Sequence, residues 1–200
     1  MAKNSVLKLM ISQRSKLLFF LFLLAGCSGG LSSTVKEVAS FDAKYGVNLS
    51  DYESGLPYFD THEREVVLNI EDYPNVIEEL RAVGENKDAD SADYINFRVS
   101  LLEAEQFYKS ALRRPFAGFN DVIRCSRKAE INQSVNELFT AINKTEEAIT
   151  FYQSLGDKAK RIRIDPSWVD FMRASNAELS ADGAKTLSII SSYCNSTPSE

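Results

Sequence analysis

With 200 residues, 23 Lys and Arg against 28 Asp and Glu and a formal charge of −5, the chain has the length of one domain and an acidic balance. That balance excludes the phosphate-backbone binding that rests on Lys and Arg displacing condensed counterions. Three cysteines and one histidine, with no C-x-x-C spacing, exclude the usual zinc patterns.

In chain order, the first element is a basic start (Lys3, Lys8, Arg14, Lys16) followed by an apolar run from Leu17 to Leu24 and then Ala25-Gly26-Cys27. The run is far shorter than the roughly 20 residues of a membrane-spanning helix and fits the h-region of an export signal. Leu24-Ala25-Gly26-Cys27 resembles the prokaryotic lipoprotein motif. That resemblance implies cleavage ahead of Cys27, whose thiol carries the lipid. The alternatives are an uncleaved signal anchor and an ordinary buried helix. Against them stand the polar Ser28-Gly29-Gly30 that follows, the lack of any acidic residue before Cys27 and the placement of the segment's basic residues ahead of the apolar run. The organisation expected is a signal over 1–26, a lipid-anchored tether over 27–33, one helical domain over 34–195 and a tail over 196–200. Removing 1–26 leaves 19 Lys and Arg against 28 Asp and Glu, a charge of about −9.

Val35, Val38, Phe41 and Tyr45 recur every three or four residues and Gly46 follows, predicting a helix over 33–45. Residues 47–63 read as a loop. Val66, Leu68 and Ile70 alternate with Val67 and Asn69, which reads as a short extended stretch or, lacking a second strand to pair with, irregular helix. Val76, Ile77, Leu80 and Val83 predict a helix over 72–83 ended by Gly84.

Two longer stripes come next. Tyr94, Phe97, Leu101, Ala104, Tyr108 and Ala111 lead to Arg113-Arg114 and the stop Pro115; Ile131, Val135, Leu138, Ile142, Thr145, Ile149 and Tyr152 lead to Gly156. Their near-3.5 spacing predicts an antiparallel pair. Asp165-Pro166-Ser167-Trp168 reads as a capped helix start, with Trp168, Phe171, Met172 and Ser175 as its inner face. A separate last helix over 182–194 presents Leu187, Ile190 and Cys194. The fold expected is all-α, a bundle of five or six helices with an irregular early segment.

Asn96-Phe97-Arg98-Val99-Ser100-Leu101-Leu102-Glu103-Ala104-Glu105, with Cys125 heading a long helix and a cysteine near the end, resembles helical exported proteins of archaea. The resemblance implies an exported helical domain and brings no activity with it.

With Cys27 lipidated, Cys125 and Cys194 are an even pair in an exported chain and candidates for one disulfide; two buried thiols are the alternative. Asn86, Asp88, Asp90 and Asp93 concentrate oxygen ligands, but an EF-hand register puts Ser91 or Asp93 where glycine belongs and Phe97 or Val99 where the bidentate Glu belongs. Asp90 or Ser91 capping the next helix accounts for them more simply. Lys158, Lys160, Arg161 and Arg163 form a basic cluster that either contacts anionic lipid heads or an acidic partner, or is a solvated connector. Phe116 and Phe119 either anchor a partner or plug the bundle end. Asn48, Asn132, Asn143 and Asn195 begin glycosylation tripeptides, a pattern short enough to arise by chance. His62 lacks a G-x-S-x-G partner, and Glu103 and Glu105 do not share a helix face. No catalytic residue, metal ligand set or cofactor is therefore assigned. The function expected is binding or scaffolding of a protein or small ligand at the cell envelope, on the outer side of a membrane to which the lipid holds it, without nucleic acid. A small-ligand sensor and, further off, a helical-bundle enzyme are the alternatives.

Overall fold

Residues 30–47, 49, 68–113, 125–162 and 164–196 are described by a computed structural model. Within them the chain is an all-α bundle: α1 (Leu31–Tyr45), α2 (Tyr73–Val83), α3 (Ala89–Arg113), α4 (Lys128–Ser154) and α5 (Ser167–Ser196). No strand occurs among the described residues. Ile70, read as extended or irregular, opens the 3-10 turn Ile70–Asp72; Val66 lies outside the described residues.

The α3 and α4 stripes are buried along their length, with Ile142 alone half-exposed, and the two helices make the most extensive contact in the molecule. They run antiparallel: Ser154 at the end of α4 donates to Asp93 near the start of α3 at 2.7 Å, and Ser134 early in α4 donates to the Ala111 carbonyl late in α3 at 3.0 Å. α1 runs parallel to α3, and α2 and α4 run the other way. The bundle thus has one end where α1, α3 and α5 begin and an opposite end where α3 and α5 finish.

Helix boundaries follow local chemistry. α1 begins at Leu31, two residues ahead of the expected start, because Leu31 is itself buried and Gly30 offers its carbonyl to Ser33 N–H at 2.8 Å. Gly46 ends it at φ 64°, in the left-handed region where glycine bears no Cβ penalty. The Val47 N–H then reaches the Asp42 carbonyl at 3.0 Å, and its side chain is buried.

Two expectations need correction. The cap of α3 is Asp88 rather than Asp90 or Ser91: its carboxylate accepts the Ser91 N–H at 3.0 Å and the Ser91 hydroxyl at 2.9 Å. The segments expected as two helices around 167 and 182 are one continuous helix, α5. Gly183, inside that continuous helix, is a point of close approach. A Cβ there would lie 3.1 Å from the Phe139 ring and 3.4 Å from Val135, so glycine lets α5 lie close on α4 without breaking it.

Candidate functional site

At the end where α5 begins, Phe97 of α3, Tyr152 of α4 and Trp168 of α5 form a triangle of rings with centroids 5.4 to 5.8 Å apart. The cluster fixes the first turn of α5. Asp165 accepts the Ser167 N–H at 2.8 Å and starts the helix; the hydroxyl and N–H of Ser167 together hold its carboxyl below the usual carboxylate range. The Tyr152 hydroxyl donates to the Ile164 carbonyl at 3.3 Å, and burial, then the Asp165 charge, pushes that phenol up.

Outside this cluster lies a solvent-open groove of about 570 Å³, lined by Lys160, Ile164, Asp165, Pro166, Ser167, Trp168 and Phe171. Trp168 is only 2% exposed, whereas Phe171, one turn on, is 47% exposed. The expectation that Phe171 belongs to the inner face is therefore overturned. α5 rests chiefly on α4, so its buried stripe is narrow and steps through Trp168, Met172, Asn176, Gly183, Thr186 and Ile190. Phe171 falls beside that stripe and forms the groove's apolar wall.

The predicted contact residues divide. Lys158, Lys160 and Arg161 come together on the 3-10 segment Gly156–Ile162, all exposed. Lys158 is paired with Asp90 of α3, and Lys160 with Asp157 at 3.0 Å, so two of the three cations are compensated by neighbouring acids. Arg163, Phe116, Phe119, Cys27 and His62 lie outside the described residues. Cys125 and Cys194 are joined by a disulfide with their Cα atoms 5.3 Å apart, at the end of the bundle opposite the groove.

Sequence reading missed the charges inside the bundle. Arg98 is fully buried and forks onto Asp42 of α1, with Nη2–Oδ1 at 2.7 Å and Nη1–Oδ2 at 3.1 Å. Burial raises the neighbouring Tyr94 phenol above its ordinary range. Nearby, the Thr34 hydroxyl donates to Ser91 at 3.0 Å. Lys87 pairs with Glu37, and Lys44 and Tyr45 with Glu79. These bonds fix the register of α1 against α2 and α3. The sequence signal was faint: Arg98 sits on the stripe's flank, and its partner is 56 residues away.

No metal-ligand group of three or more His, Cys, Asp or Glu occurs among the described residues. No family model, curated protein or solved structure matches this chain.

Proposed function

We propose that this chain is a lipid-anchored extracytoplasmic module that binds or scaffolds a partner at the cell envelope. The observation that carries the reading is the basic-then-apolar start closing on Leu24-Ala25-Gly26-Cys27. The Cys125–Cys194 disulfide supports it, because such bonds persist in oxidising compartments. The groove beside Trp168, with Phe171 as an exposed aromatic wall, supports a contact role at the envelope, whether with a partner or with the lipid surface, since exposed aromatic side chains supply much of the energy of such contacts.

The test is metabolic labelling of the full chain with palmitate, together with detergent-phase partitioning and mass. The wild-type chain partitions with membranes and takes up label. Cys27→Ala leaves the chain unlabelled and either released or unprocessed. Unchanged partitioning and mass in that variant overturn the proposal.

A further inference from the structure

Only Ser28, Gly29 and Gly30 separate Cys27 from Leu31, the first residue of α1. Four Cα steps reach at most about 14 Å. α1 cannot pivot freely beyond that span. Leu31 is buried, Thr34 is bonded to Ser91, and Glu37 is paired with Lys87. A lipid on Cys27 therefore holds one particular end of the bundle at the bilayer.

The same end carries the groove. Ser91, the partner of Thr34, adjoins Asp90, and Asp90 pairs with Lys158. From Lys158 the segment Gly156–Ile162 continues through Lys160, which lines the groove together with Phe171. An exposed aromatic flanked by exposed long cations is the residue set that settles at a membrane interface. The ring enters the boundary between headgroups and acyl chains while the cationic heads stay among phosphates.

We propose that the groove edge formed by Phe171 and Lys160, with the exposed Arg161 next along the Gly156–Ile162 segment, is a second contact with the membrane, seated on lipid headgroups once the anchor is in place. This rests on the lipid-anchor reading of Cys27. The occupant is the bilayer surface rather than a soluble protein, because the tether is too short to hold this end away from the lipid. The charge pattern limits the electrostatic share. Asp90 and Asp157 already pair with Lys158 and Lys160, which leaves Phe171 insertion and Arg161 to supply most of the contact. The seat sets an orientation: the disulfide end, with the 70% exposed Tyr193, points away from the membrane. Tyr193 lies 22 residues beyond Phe171 on the same helix, about 33 Å at 1.5 Å per residue.

The experiment uses the lipidated full chain in phosphatidylcholine vesicles containing phosphatidylglycerol, with bromine on the acyl chains as a short-range quencher. Two variants, Phe171→Trp and Tyr193→Trp, are compared with the parent, whose Trp168 is the only tryptophan. The added tryptophan at 171 should be quenched at least about twofold more than the one at 193, as burial at the headgroup boundary requires. Equal or absent quenching at both sites in a chain whose mass shows the lipid overturns the seat and leaves the anchor standing. A groove filled by a second copy or by a soluble ligand gives that same result. A chain without the lipid mass overturns the anchor, and the seat with it.

Discussion

The end of the bundle where α5 begins and the end where it finishes are held by different means. At the first, the rings of Phe97, Tyr152 and Trp168 join a core that runs from Leu31 to Met172. At the second, a small cluster of Tyr108, Ala111, Leu138 and Ala141 is supported by half-buried side chains such as Phe107 and Leu179. A disulfide fastens the chain just beyond it. Among the described residues, the covalent link thus lies where apolar burial is thin, and the interior rings lie where three helices meet.

The largest expected effect tests the thick end. Trp168→Ala removes the ring that touches both Phe97 and Tyr152 and opens a cavity beneath the groove. A loss of about 3 to 5 kcal/mol is expected for such a truncation, read by urea denaturation. A loss well under that range would mean that α5 is held elsewhere and that the two ends are less unequal than the ring cluster suggests.

At the thin end the disulfide closes a separation of 69 residues, for which chain entropy gives about 4 kcal/mol as an upper figure. Replacing both cysteines by alanine should lower stability by up to that amount. It should also speed hydrogen exchange in the last two turns of α5 while leaving Phe97 to Leu101 of α3 protected. Uniform loss of protection along the whole bundle would break the comparison. Leu138→Ala, in the small cluster, should cost about 2 to 3 kcal/mol, less than Trp168→Ala because fewer packed side chains surround it.

How much of this was readable beforehand depended on how local the cause was. The α3 and α4 stripes were legible because burial there follows a simple three-four alternation, and the Cys125–Cys194 pairing followed from there being two cysteines once Cys27 is set aside. Phe171 was misread because Trp168, Phe171 and Met172 look like one apolar face, whereas the buried stripe of α5 continues through Asn176, Gly183 and Thr186. Polar and small residues hide such a stripe. The internal Arg98–Asp42 pair was illegible for another reason: burying a charge depends on a partner distant in sequence, which no local pattern announces. The basic segment was legible as a run of cations, but its pairing with Asp90 and Asp157 was not.

A smaller effect concerns the cap at the groove end. The N–H and hydroxyl of Ser91 hold Asp88 below its ordinary value of 3.8. A carboxylate lowered in the folded state adds stability above its unfolded pKa, and that contribution is lost as pH falls through the lowered folded value. Stability should therefore decline as pH drops below about 4. Asp88→Asn should flatten part of that slope while keeping much of the cap, and Asp88→Ala should cost about 1 kcal/mol at neutral pH. Thermal melts across the acid range check both, and an unchanged slope in Asp88→Asn would assign the acid sensitivity to other carboxylates.

Two hydroxyls buried on α4 should differ in effect, and the second gives the smallest change of all. Ser134 donates to the Ala111 carbonyl at 3.0 Å, whose ordinary helical donor would be the N–H of residue 115. That residue is Pro115 and has none. Thr145 donates to the Ala141 carbonyl at 3.0 Å, which already accepts the Thr145 N–H in the regular helical ladder. Removing the first hydroxyl leaves one buried acceptor without a donor among the described residues, so Ser134→Ala should cost about 1 to 3 kcal/mol. Removing the second leaves none, and Thr145→Val keeps the side-chain volume, so its stability should stay within about 0.5 kcal/mol of the parent. Equal losses in the two variants would mean that burial of the hydroxyl, rather than the supply of donors to its carbonyl, sets the cost along this helix.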